Sequence, residues 1–294
     1  MTGSAGRGPG RSVPEAVNLS GQVALVTGAG RGIGRAIAVA LGDAGASIAI
    51  CDKSEEEVAT TAKAVRARGG IALAVPADVP DLGEVERMVT EVEAEMGPVD
   101  LLVNNAGVHG PVAPLVESGP DEWWQTMEVN VRGLLYCSLA VLGGMVERGH
   151  GRIVNLASGL GFVASPRLSS YCVSEAALLR LTESLAVEVR DHGVHAFAVV
   201  AGLVPTAVGE DGAPRRAPGT AEDLQALFER GADVLPQRAA GLVVRIASGE
   251  ADALSGRYIE VPNPLAPTRE DLAGTVARAK EIIERDLFVL RDRE

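Results

Sequence analysis

The chain has 294 residues with 27 Lys plus Arg against 39 Asp plus Glu, a formal net charge of −12. Hydrophobic residues at 47% with both charge signs mixed describe a globular chain large enough for one sizeable core, and exclude a disordered one. The acidic balance argues against nonspecific binding to nucleic acid or to an anionic membrane.

Residues 1–18 are rich in Gly, Pro, Ser and Arg, lack an apolar stretch, and read as a flexible tail. A regular alternation follows. Short apolar runs at Val23–Thr27, Ser47–Cys51, Ile71–Val75, Val99–Val103, Gly151–Ala157, Val194–Val200 and Arg257–Val261 read as strands. Several are apolar at successive positions, as expected of strands covered on both faces. Helical patterns lie between them at 32–45, 55–69, 81–97, 120–148, 169–191 and 236–248. Gly45, Gly69–Gly70, Gly97–Pro98 and His192–Gly193 stand where helices should stop. The alternation predicts an α/β fold, a doubly wound parallel sheet of about seven strands with helices on both faces.

Two stretches break the rhythm. Residues 207–220, rich in Gly, Pro, Asp and Arg, lead into a short helical pattern ending near Arg230, and the segment reads as a lid over a site. Residues 268–288 place Leu272, Val276, Ala279, Ile282, Ile283 and Leu287 at helical spacing, an amphipathic helix appended to the sheet. The expected organisation is a tail over 1–18, one domain over 19–262 and an extension over 263–294. Cys51, Cys137 and Cys172 are far apart and form no CxxC pair, so neither a disulfide scaffold nor a metal site is expected. Unpaired cysteines fit a reducing compartment, the cytoplasm. No uninterrupted run of eighteen apolar residues occurs, and no membrane span is expected.

The first strand runs into Thr27-Gly28-Ala29-Gly30-Arg31-Gly32-Ile33-Gly34 and then a helix. Glycines at such a turn let the backbone approach a pyrophosphate, and the helix N-terminus offers free N–H groups. Asp52, at the end of the second strand, is placed to accept both ribose hydroxyls and to repel a 2′-phosphate. These features predict NAD. Arg31 pulls weakly toward NADP, the weaker expectation, and is otherwise a solvated loop residue.

Taken together, the motifs resemble the classical short-chain dehydrogenases/reductases over residues 19 to 261. Thr27, Gly28, Gly32 and Gly34 fit that family's TGxxxGxG spacing. Asp78-Val79 is similar to its adenine-contacting pair, and Asn104-Asn105-Ala106-Gly107 to its NNAG loop. Asn130 falls on the helix asparagine. Ser158 and Tyr171 stand thirteen residues apart, the family spacing, and Gly202 and Thr206 match a segment contacting the nicotinamide. The resemblance implies an NAD(P)-dependent oxidoreductase interconverting a secondary alcohol and a ketone on a small molecule. It also implies a homotetramer or homodimer packed through helices 120–148 and 169–191. Ser158 would polarise the substrate oxygen, Tyr171 would move its proton, and Asn130 would support a water relay.

One position departs from the pattern. The family's lysine, four residues after the tyrosine, is Glu175 here, and the chain's three lysines, Lys53, Lys63 and Lys280, offer no obvious substitute. At roughly 7 Å and an effective dielectric near 20, one unit charge contributes about 2 kcal/mol, and reversing its sign counts that twice. An ionised Glu175 in that position makes Tyr171 a poor base near neutral pH. Glu175 is counted with Asn130, Ser158 and Tyr171 as a candidate catalytic residue. It could accept ribose hydroxyls, or be protonated. Three readings follow: an oxidoreductase with a modified relay, a related fold doing elimination, epimerisation or cyclisation, or a weakly catalytic NAD-binding sensor. His109, Cys172, Trp123, Trp124 and Arg167 are read as ordinary structural or surface residues.

Overall fold

The computed structural model describes residues 17–201 and 235–261. The expected tail up to residue 16, the 207–230 lid, the 268–288 helix, Gly202 and Thr206 lie outside the described residues.

Among the described residues the strands are β1 Val23–Val26, β2 Ser47–Asp52, β3 Ile71–Pro76, β4 Leu101–Asn104, β5 Gly151–Ala157, β6 Val194–Val200 and β7 Tyr258–Glu260. They form one parallel sheet in the order β3-β2-β1-β4-β5-β6-β7. The helices are α1 Gly32–Asp43, α2 Glu55–Arg66, α3 Leu82–Met96, α4 Pro120–Met127, α5 Leu134–Arg148, α6 Ser169–Glu188 and α7 Pro236–Ala247. The doubly wound reading of the sequence holds. β1 explains why: Ala24 and Val26 enter the core shared with α1, α2 and α7, while Val23 and Leu25 enter the core shared with α3, α5 and α6. Successive strand residues point to opposite faces, so a strand covered on both sides must be apolar throughout.

Local chemistry sets the ends. Ser54 and Asp81 cap α2 and α3 by accepting the backbone N–H groups of Glu57 and Glu84. Glu55, Glu56 and Glu57 open α2 and Lys63 and Arg66 close it, matching the helix dipole. β4 begins two residues later than expected, because Asp100 is committed to β1: its carboxylate accepts Val23 N–H at 2.9 Å.

The stretch expected as one helix over 120–148 is not uniform. Between α4 and α5, Glu128–Gly133 winds as a π-helix. By length and composition alone, Pro120–Arg148 is apolar enough to cross a membrane. In this fold Leu134, Cys137, Val141 and Met145 put one face of α5 into the core, which accounts for much of that apolarity.

The chain order reverses beside β1, where β2 and β3 lie on one side and β4 on the other. A crevice at the carboxyl ends of the strands opens at such a switch point. The end of β2 and the loops after β1, β4 and β5 carry Asp52, Gly28, Asn105 and Ser158 to that edge.

Candidate active site

The β1–α1 turn is built around close backbone approach. Gly28 and Gly32 have φ of +59° and +57°, the left-handed region that favours glycine. A Cβ on Gly28 would stand 2.8 Å from the Ala106 Cα. The turn is stitched to the loop after β4. Thr27 Oγ1 accepts the N–H groups of Asn105 and Ala106 at 3.0 and 3.1 Å, and Asn105 Nδ2 donates to the carbonyls of Thr27 and Gly28. Thus Asn105 and Ala106 act first as a brace for the glycine turn.

The first turn of α1 has no side-chain cap and no acidic residue. Its N–H groups and dipole suit an anion such as a pyrophosphate, while the missing Cβ at Gly28 makes room for the Asn105–Ala106 brace. Asp52 closes β2, its carboxylate accepting Gly30 N–H and Ser54 N–H, each at 3.3 Å. Glu57 flanks the same glycine: a Cβ on Gly30 would stand 2.9 Å from Glu57 Oε2 and 3.0 Å from Asp52 Oδ2. Two carboxylates therefore border the expected ribose position. Val79 is buried beside the strand ends and Ile33 packs partly into the α1 core, while Asp78 N–H donates to Glu84.

At the other side of the crevice β5 delivers Ser158, and α6 delivers Tyr171 and Glu175. The Tyr171 hydroxyl faces the side chains of Ser158 and Glu175, and both act on its proton. Glu175 Oε2 also accepts the Ser158 N–H at 2.7 Å, and the carboxylate is only 5% exposed. Burial pushes the Tyr171 hydroxyl well above its usual range, and the Glu175 charge adds to this. Burial likewise pushes Glu175 up to about 7, against the lowering pull of the Ser158 N–H and Tyr171 hydroxyl bonds. Burial first, and the neighbouring carboxylate second, favour the protonated tyrosine, and burial brings Glu175 toward neutrality.

Asn130 sits in the π-helical turn. Its Oδ1 accepts Val108 N–H at 2.8 Å, and its Nδ2 donates to the Val108 carbonyl and to Ser174 Oγ, each at 2.9 Å. Ser174 Oγ in turn donates to the Tyr171 carbonyl. Ser174 escaped the sequence reading, although its place three residues after Tyr171 puts it near the same helix face. His109 also gains weight, because its ring meets the Tyr171 ring edge-on with centroids 4.6 Å apart. Trp123 Nε1 donates to Ser169 Oγ at 2.9 Å, tying α4 to the start of α6. Arg167 adopts φ +67° and donates to the Val112 carbonyl at 3.3 Å.

The short chain dehydrogenase family model matches residues 22–216. The chain belongs to that family. This dehydrogenase is 35% identical over 264 residues to a short chain dehydrogenase of Pseudocercospora fijiensis, covering 86% of this chain and 84% of that one. Among solved structures it is similar to a gluconate 5-dehydrogenase from Burkholderia cenocepacia in complex with NADP and tartrate. There the identity is 32%, the TM-score 0.76, and 84% of this chain and 96% of that chain are covered. It is also similar to a 7α-hydroxysteroid dehydrogenase complexed with NADH and 7-oxo glycochenodeoxycholic acid. Here the identity is 27% and the TM-score 0.76, over 84% and 94% of the two chains. The dehydrogenase is therefore an oxidoreductase enzyme of a family that uses NAD or NADP. These relatives do not place NADP below NAD, so the expected ranking of the two rests on Asp52 and not on kinship.

Proposed function

We propose that this dehydrogenase interconverts a secondary alcohol and a ketone on a small molecule with a nicotinamide dinucleotide. The observation that carries the reading is the convergence of the Ser158 and Tyr171 side chains at the strand-end crevice to which the uncapped glycine turn also belongs. The dinucleotide, when bound, supplies the hydride acceptor or donor at carbon. Ser158 Oγ would donate a hydrogen bond to the substrate oxygen, stabilising the charge that develops there. Tyr171 would exchange the proton of that oxygen. Asn130 acts at one remove, holding the 108–110 loop and, through Ser174, the Tyr171 turn of α6.

Within the dinucleotides, Asp52 favours NAD. A 2′-phosphate near Asp52 and Glu57 would meet two carboxylates, with Arg31 as the adjacent cation. Its relatives' substrates range from a sugar acid to a steroid by name, so the substrate class is left at secondary alcohol or ketone. The exposed Leu139, Val173 and Val187 on α5 and α6 support assembly as a homodimer or homotetramer through those helices. The buried, unpaired Cys51 and Cys137 suit a cytoplasmic setting.

The test is a titration of NAD and NADP against the full chain, followed by a screen of secondary alcohols and ketones. Binding of NAD with turnover of at least one pair is expected. Failure of both dinucleotides to bind would remove the proposal.

A further inference from the structure

We propose that Glu175 is the terminal proton acceptor of the site, and that the Tyr171 hydroxyl is a relay between it and the substrate oxygen. This rests on the alcohol–ketone reading above and assigns the proton path within it.

The geometry carries the argument. Glu175 is turned inward, onto the end of β5, with Oε2 held by the Ser158 N–H at 2.7 Å. The short turn Gly159–Gly161 lies flush against the same helical turn: a Cβ on Gly161 would stand 3.0 Å from the Glu175 carbonyl carbon and 2.7 Å from Leu179 Cδ1. The Ser158 N–H thus holds the carboxylate at the strand end, while the turn packs on the Glu175 backbone. Tyr171 stands one helical turn before Glu175 on α6, and its hydroxyl acts on Glu175 and on Ser158.

The chemistry then follows from what each group can hold. A tyrosine kept protonated by burial and by an adjacent carboxylate cannot store the substrate's proton as a free phenolate. It can pass one through. In the oxidation direction the alcohol O–H proton moves to the Tyr171 oxygen as the Tyr171 proton moves to Glu175. An oxidised dinucleotide, when bound, would take the carbon's hydride and be reduced by it. A ketone, a neutral tyrosine and a protonated Glu175 remain, and Glu175 then releases its proton to solvent. Reduction runs the same transfers backward, starting from protonated Glu175. Among the described residues, Cys172 on α6 acts on Tyr171, and His109 on the loop after β4 meets its ring edge-on. β5 contributes the neutral Ser158, the π-helical turn contributes Asn130 to Ser174, and β6 contributes only Ala198 and Val200 to this side of α6.

The test uses the full chain and two independent readouts. Infrared titration of the protein without substrate should show a carboxylic-acid band that fades as pH rises through neutrality. It should vanish in Glu175→Gln. In Tyr171→Phe it should persist to higher pH, because the lost hydroxyl no longer favours the carboxylate. A band that survives Glu175→Gln, or one that Tyr171→Phe does not move, overturns the proposal. Alcohol oxidation by the natural enzyme should fall as pH drops below about 7. Glu175→Gln should lower it about 100-fold or more at pH 8, the usual scale of a lost proton acceptor. Natural rate and profile in Glu175→Gln would also overturn it. Dinucleotide binding without turnover, in the natural enzyme and in Glu175→Lys alike, counts against the alcohol–ketone reading alone. The infrared band then decides the Glu175–Tyr171 coupling by itself.

Discussion

Burying a carboxyl in the dinucleotide crevice has a consequence for stability that can be measured without any substrate. Glu175 ordinarily titrates at 4.5 and is pushed up to about 7 in the fold, chiefly by burial. A group whose pKa is raised on folding binds more protons in the native state between those two values. Its contribution is therefore present in full below pH 4.5, declines as pH rises, and is gone above about 7. At about 1.4 kcal/mol per pKa unit, the natural protein loses about 3 kcal/mol across that window relative to a side chain that does not titrate. Glu175→Gln supplies that reference, since it keeps the shape and can still accept the Ser158 N–H. The variant should match the natural protein at pH 4.5, apart from a constant offset, and gain about 3 kcal/mol on it by pH 8. For a domain of this size that corresponds to roughly 6–12 °C in Tm. Paired urea or thermal unfolding at the two pH values reads the difference, and groups common to both proteins cancel. An offset that does not change with pH, or a variant that loses ground at pH 8, would refute the reasoning.

Gly28→Ala places a side chain at φ +59° and within 2.8 Å of the Ala106 backbone, so about 2–4 kcal/mol of stability should be lost in urea unfolding. Dinucleotide affinity should fall with it, measured by titration at a temperature where the variant stays folded. Asn130→Ala strips partners from the Val108 backbone and Ser174, and should cost about 1–3 kcal/mol in the same assay while loosening the His109 loop in hydrogen exchange. Ser158→Ala and Tyr171→Phe should each lower turnover by about 100-fold or more while leaving the dinucleotide Kd within a few-fold. Asp52→Asn should narrow the preference for NAD over NADP in competitive titration, because the carboxylate's repulsion of a 2′-phosphate is removed.

The sheet was legible because it is covered on both faces. Runs such as Ser47–Asp52, with Ile48 and Ile50 in one core and Ala49 and Cys51 in the other, leave no polar face to confuse the pattern. The glycine turn, Asp52, Ser158 and Tyr171 were legible from spacing, because each stands at a strand end or one helical face. The π-helical turn was not. The apolar pattern of 120–148 passes through it without a break, and what accompanies the local widening is the bonding of Asn130 to Val108 and Ser174, both distant in sequence. The placement of Glu175 was half legible: its charge opposite to the family's lysine was plain, but its turn toward Ser158 N–H depends on how β5 and α6 meet. His109 gave no pattern at all, since an edge contact with Tyr171 leaves no periodic trace.

Passage of hydride between substrate carbon and a dinucleotide held on the β1–α1 turn is the step on which the proposed activity stands or falls. The most direct measurement incubates the natural protein with NAD or NADP and secondary alcohols deuterated at the carbinol carbon, then weighs the recovered dinucleotide by mass spectrometry. Deuterium in the reduced dinucleotide, lost in Tyr171→Phe, is the expected result. A substrate converted with no label in the dinucleotide, or no dinucleotide bound at all, would contradict it.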